Sequence, residues 1–438
     1  ALSVQGKGNV EIELDGDNEL KSGFNRAGLE KNTSDSTGTL TLKDDKKDDN
    51  KEAGSLKATG GKYGAGIGGS KDNGTNNITI NGGTVNAAGG NGAGIGGGDR
   101  GSGENITING GTVTAASGSG AGIGGGEKGS GKNITINGGT VEATGGDFGA
   151  GIGGGAAGSG TNITITGGTV TATGSVFGAG IGGGEKANGE DITITGGTVT
   201  AKGHLGGAGI GGGEKGNGKN ITITGGTVTA KGGVFGAGIG GGYGGIGSNV
   251  TVSGAAQVTA IAGKPDLGGA GATIGGGSST QDSDGNTVPT PGTEIQADIK
   301  GLTTGYIHHI IYNLDDSLKR EWWEFALPKP IPDGESLDLH VETLKGAPLL
   351  FNTRQQGSTL RVTSDNLSAR LHGTRQALEA LQEQGVEQIQ FVTTLKTTTL
   401  SVEDLLTEGG SWFALEHDGL VSRQLSAAQA ESLKCWMH

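Results

Sequence analysis

The chain is poor in several residue types, and each shortage excludes something. It has one cysteine, one methionine and seven prolines in 438 residues, and few aromatics. The lone thiol, Cys435, excludes an internal disulfide and a multi-cysteine metal site. So little proline beside 98 glycines excludes the Gly-X-Y pattern of collagen. Basic residues are also in deficit, 32 Lys and Arg against 45 Asp and Glu, for a formal charge of −13. Duplex nucleic acid is therefore not an expected partner, because phosphate binding needs a basic face. No apolar run approaches the roughly 18 residues that a membrane-crossing helix requires. The chain opens at Ala1 on strand-like sequence without a signal peptide, which fits a mature secreted form.

A repeat dominates what is present. Seven copies of one phrase, 28 or 29 residues long, begin at Asn77, Asn105, Asn133, Asn162, Asp191, Asn220 and Asn249. The clearest reads Asn-Ile-Thr-Ile-Thr-Gly-Gly-Thr-Val-Thr-Ala, then a variable corner, Gly-Ala-Gly-Ile-Gly-Gly-Gly and a polar turn. So short a period is the signature of a solenoid. In the copy at Asn162, Ile163 and Ile165 alternate with Thr164 and Thr166. Val170 and Ala172 alternate with Thr169 and Thr171, and Ala179 and Ile181 with Gly180 and Gly182. Period-two alternation broken by glycine predicts three short strands per coil, with Ile, Val and Ala inward. Coils this short leave no room for helical crossovers, so the strands must pair in parallel from coil to coil. The expected fold is all-β, a parallel β-helix. Neighbouring coils about 4.8 Å apart give a stack roughly 40 Å long.

Weaker copies at Gly38–Leu42, Gly54–Ala58 and Gly64–Gly68 make a further coil with a charged insertion from Asp44 to Glu52. Val10–Leu14 and Asn18–Leu20 read as a capping coil, for about nine coils in residues 1–277. Residues 278–294, polar with Asp-Gly and two prolines, read as a linker. Residues 295–438 read as a smaller β-rich or α+β module. Its expected strands are Tyr306–Tyr312, Ser336–Val341, Thr359–Val362 and Ile389–Thr393. Its expected helices follow Thr374, Ser401 and Ser426 as N-caps.

Few residues suggest chemistry. Gly126–Lys132 and Gly213–Lys219 match a phosphate-loop spacing, but Asn follows where Ser or Thr should, and then a strand. They read as solvated turns. The repeats group no carboxylates for glycoside cleavage or calcium, so no catalytic residue, metal ligand or cofactor is assigned. The aromatic corners Tyr63, Phe148, Phe177 and Phe235 read as a packed stack. His308-His309, Asp315-Asp316 and Trp322-Trp323 are dense in functional groups, yet neighbours on a strand face opposite ways. Asparagines heading the coils read as a stacked ladder, with Asp191 placed at an exposed edge. The candidate binding residues are the outward rows Thr164/Thr166, Thr193/Thr195 and Thr222/Thr224. Such grids resemble those of ice-binding solenoids. A bare glycine stripe through Gly180, Gly209 and Gly238 is a candidate face for a second copy, the alternative being glycine fitted to a cramped coil.

The phrases Ile-Thr-Ile-Thr-Gly-Gly-Thr-Val-Thr-Ala and Gly-Ala-Gly-Ile-Gly-Gly-Gly resemble repeats in large surface proteins of gut Firmicutes. Val10–Asn18 and Gly-Gly-Thr-Val-Thr-Ala are also similar to β-helical carbohydrate-binding domains, which share a fold with pectate lyases but act as binders. The resemblance covers about residues 9–277. It implies an extracellular, non-catalytic protein engaging polysaccharide or a host surface. A polysaccharide-active lyase or hydrolase is the rival reading.

Overall fold

A computed structural model describes residues 2–44, 54–264, 270–281, 287–325 and 339–433. The charged insertion after Asp44 and Cys435 lie outside the described residues. The chain forms two compact units, residues 1–324 and 325–438.

The first unit is the expected parallel β-solenoid, each coil contributing one strand to each of three sheets. In the coil read above, the strands are Gly160–Ile165, Thr169–Thr173 and Ile181–Gly182. Ile163, Ile165, Val170, Ala172, Ala179 and Ile181 are all fully buried, so the alternation read from sequence is the inside-outside pattern of the coil. Burying one such isoleucine contributes about 1.5–3 kcal/mol. The Gly-Gly corner turns because Gly168 holds φ +83°, where a Cβ would lie 2.6 Å from the Gly139 carbonyl oxygen. The first sheet has ten strands, the second nine and the third eleven. Ile and Val pair with their counterparts in every coil: Ile134 with Ile163, Ile163 with Ile192, Ile192 with Ile221.

The asparagine ladder is present. Asn105 Nδ2 donates to Asn77 Oδ1 at 3.0 Å, Asn133 to Asn105 at 2.9 Å and Asn162 to Asn133 at 2.7 Å. Asn220 donates to Asp191 and Asn249 to Asn220. Each of these residues has positive φ, a conformation Asn and Asp tolerate better than other side chains. Asp191 stands inside this row and not at an edge of the solenoid. It accepts from Asn220 but has no N–H with which to reach Asn162.

The solenoid continues past residue 277. Ser279–Gln281 and Thr287–Thr290 pair antiparallel, and the chain then returns: Gly276 N–H donates to the Thr293 carbonyl, and Gly275 bridges Glu294. Residues 278–294 thus leave and rejoin the stack, where a linker was expected. Asp298 N–H donates to Val250 O, and Tyr306–Tyr312 pairs in parallel with Gln257–Ile261. Ile307 continues the core column of Val258, and His309 that of Ala260. The segment 295–324, read as the start of the second module, therefore closes the solenoid with a further coil. The loss of glycine at residue 295 marks a change of surface, not the end of the core. Leu318–Phe325 follows a tight turn and lies beside Tyr306–Tyr312 as the last strand of the third sheet.

The second unit is a smaller β-rich module with two four-stranded sheets. Three short helices join it: α1 (Arg375–Glu383), α2 (Val402–Thr407) and α3 (Ala427–Ser432). Each begins at its predicted cap: Thr374 accepts from Ala377 N–H, Ser401 from Asp404 and Ser426 from Gln429. Val362, Leu371, Ile389, Phe391 and Leu415 centre its core.

Candidate functional site

The outer faces of the second and third sheets present the threonine rows. Thr41, Thr79, Thr107, Thr135, Thr164, Thr193, Thr222 and Thr251 pair successively in register, one column of eight hydroxyls. Two residues further along each strand, Thr166 and Thr195 are exposed and Thr224 half-exposed. Earlier coils carry asparagine in that place. Asn109 donates to Asn81 and Asn137 to Asn109, both at 2.8 Å, and Thr166 Oγ1 donates to Asn137 Oδ1 at 2.9 Å. The six predicted threonines therefore face solvent together, although the ladder upstream is built of amides.

Gly180, Gly209 and Gly238 do not form an open face. All three are buried. A Cβ on Gly180 would sit 2.5 Å from the backbone nitrogen of Lys202, and one on Gly209 2.6 Å from that of Lys231. Each glycine points across the coil at the third sheet. Glycine is required here because the coil is too narrow for a side chain, so the stripe expected as a face for a second copy lies inside the coil.

The third sheet carries its own columns. Thr84, Thr112, Thr140, Thr169, Thr198 and Thr227 align, and Gln257 and then Tyr306 continue the line. Beside them Thr171, Thr200, Thr229 and Thr259 lead to His308. On this outer face the His308 ring stacks on Trp323, with centroids 3.8 Å apart and planes 2° from parallel. Tyr306 meets Trp323 edge-on at 5.0 Å, and His308 Nε2 lies 2.5 Å from Glu321 Oε1. Trp323 is 37% exposed at the end of a hydroxyl-lined face. Sequence reasoning singled out His308 and Trp323 but placed them in a separate module and discounted a shared site, because neighbours on a strand face opposite ways. The patch takes only one residue of each pair. The signal was the run Tyr306–Tyr312, whose alternation matches the preceding Thr-Val-Thr-Ala strands.

His309 points the other way, as period two requires. It is buried with Nδ1 2.6 Å from Thr273 Oγ1, and it stacks on Trp322 at 4.4 Å. Glu294 accepts from the Thr273 hydroxyl at 2.9 Å and from the backbone N–H groups of Thr273 and Ile274. His309 and Thr273 are buried while Glu294 is exposed, and the cluster ties the closing coil to the one before it.

The corner aromatics pack in pairs: Phe148 on Phe177 at 5.8 Å, Phe24 with Tyr63 and Phe235 with Tyr243. The two phosphate-loop look-alikes are turns in which Lys128 and Lys215 have positive φ, each followed by a strand. Among the described residues, no three His, Cys, Asp or Glu side chains gather as a metal site. No described helix is long and apolar enough to cross a membrane.

The second unit holds a buried charge network. Arg370 bridges Glu342 and Glu416 at 2.7 Å each, and Arg423 also bonds Glu416. Burial pushes the Glu416 carboxyl up, but hydrogen bonds from Arg423 and Arg370 outweigh it and hold it below the ordinary range. His417, fully buried between Thr393 and Thr398, is lowered to about 4 by burial, with Lys396 adding repulsion.

Residues 52–71, 78–99, 106–127, 134–156, 163–185, 192–214 and 221–243 match the family model of the beta helix repeat. The chain is a β-helical repeat protein. Searches of curated proteins and of solved structures returned no match.

Proposed function

We propose that this chain is an extracellular, non-catalytic scaffold that binds an extended polysaccharide along its threonine-lined faces. The observation that carries the reading is the register. Eight threonines stand in one column, so a polymer meets the same hydroxyl at each coil, about every 4.8 Å. A threonine hydroxyl both donates and accepts, as sugar hydroxyls do. Weak contacts repeated along one rigid body add through effective concentration. The third-sheet face is the better of the two, because its threonine columns end at Tyr306, His308 and Trp323. An exposed indole offers an apolar platform for a sugar ring.

A glycan array run with and without calcium tests this. Retention of particular glycans, lost in Trp323→Ala and weakened in a Thr200→Val/Thr229→Val double variant, supports the proposal. No retention on any glycan ends it. Release of soluble fragments would favour the lyase or hydrolase, and thermal hysteresis in ice-growth assays would favour ice binding.

A further inference from the structure

The early coils break the repeat at one interior position. Leu29 and Glu30 pair with Ile67 and Gly68, so Lys31 stands where later coils place Gly69, Gly97 and Gly125. Its side chain is among the largest that are fully buried in the molecule. A second departure faces it: Thr75 occupies the register position of Gly103, is fully buried, and donates through Oγ1 to the Lys31 carbonyl at 2.7 Å. The next residue is Asn76. Lys31 Nζ lies 3.1 Å from Asn76 Oδ1, its one acceptor among the described residues. On the following coil, Asn76 pairs in register with Glu104. An amine, a carboxamide and a carboxylic acid thus sit on three successive coils at the charged end of the solenoid.

An ammonium carries three N–H donors, and among the described residues Lys31 has one acceptor for them, on the half-exposed Asn76. Burial lowers the pKa of Lys31, favouring the neutral amine with its lone pair. That nitrogen lies 3.1 Å from the Asn76 amide oxygen.

We propose that Lys31 and Asn76 join in an intramolecular isopeptide bond, with Glu104 relaying the proton. Lys31 Nζ adds to Asn76 Cγ to give a tetrahedral intermediate. The Cγ–Nδ2 bond then breaks. The Glu104 carboxylate takes one proton from Nζ and passes it to the departing nitrogen. The products are a secondary amide and one ammonia, with no oxidant or cofactor consumed. The bond would close the chain around the insertion that begins at Asp44 and tie the second coil to the third. A solenoid end with no disulfide would gain a covalent staple where fraying begins.

Intact-mass measurement of the full chain, purified and after unfolding and refolding, tests this directly. The expected mass is lower than the sequence mass by one ammonia, about 17 Da. Peptide mapping should find Lys31 uncleaved by trypsin and joined to the peptide containing Asn76. Asn76→Ala should restore the unmodified mass, and Glu104→Gln should show both species converting slowly. An unshifted wild-type mass overturns the proposal. A 17 Da loss that maps instead to Asn81-Gly82, Asn109-Gly110 or Asn137-Gly138 would be succinimide and overturns it equally. Conversion of Glu104→Gln at the wild-type rate would remove Glu104 from the chemistry.

Discussion

Single residues carry the strictest constraints in this molecule, and they are of two kinds. Asp191 interrupts a ladder whose other rungs are amides, leaving Asn162 Oδ1 without the donor that asparagine would supply. Asp191→Asn should complete the row and add roughly 0.5 kcal/mol, since the new hydrogen bond is exposed to water. A denaturant titration with a higher midpoint and unchanged slope would show it; a lower midpoint would contradict the ladder. Gly180 is the opposite case. Even a methyl group there would meet the Lys202 backbone nitrogen at 2.5 Å, and backbone cannot move aside cheaply. Gly180→Ala should cost more than about 2 kcal/mol. Normal stability in that variant would reopen the stripe as a surface.

At the scale of elements, strands and caps were readable because each depends on a few nearby residues. Thr374, Ser401 and Ser426 start helices in the places their spacing indicates. Burial was readable only in the repeats. The charged side chains of the second unit gave no sign that Arg370 and Glu416 would be buried together, or that His417 would lose water. His417 has a pH consequence. Its folded pKa is about 4, below the ordinary value of 6.5. The neutral ring therefore stabilises the fold fully above about pH 6.5, and that contribution falls away as pH drops toward 4, by about 3 kcal/mol in all. Burial lowers His372 as well, so it acts in the same direction. Hydrogen exchange at Gln388–Val392, corrected for intrinsic rates, should show weaker protection at pH 5 than at pH 7. His417→Gln should flatten that dependence, and an equally steep variant would assign it to another group.

The whole first unit behaves as a one-dimensional stack, in which each coil touches chiefly its neighbours. Removing residues 162–190, one repeat, should leave a folded, shorter solenoid, because Asp191 and the strands after it find the same register on Lys132–Ile136 that residues 161–165 now use. Circular dichroism and a cooperative melt would check this; an unfolded product would mean that this coil does something its neighbours do not. The same reasoning does not extend to the ends. Buried polar side chains gather in the coils up to Asp99 and again from Thr273, with none among the described residues between, and deletion at either end should be costly.

By itself the sequence determined the solenoid: three strands per coil, which residues point inward, and the outward threonine columns. Those follow from period-two alternation and a fixed repeat, both local properties of a chain that meets itself every 28 or 29 residues. Tertiary structure decided what local pattern cannot carry. It placed the glycine stripe inside the coil, because only the opposing third sheet fills that space. It brought residues 295–324 into the solenoid, because pairing of Tyr306–Tyr312 with Gln257–Ile261 is a long-range contact. It also set Lys31 against Asn76, a pair whose meeting depends on how coils stack, and Trp323 against His308, whose meeting depends on the register of two strands across a turn.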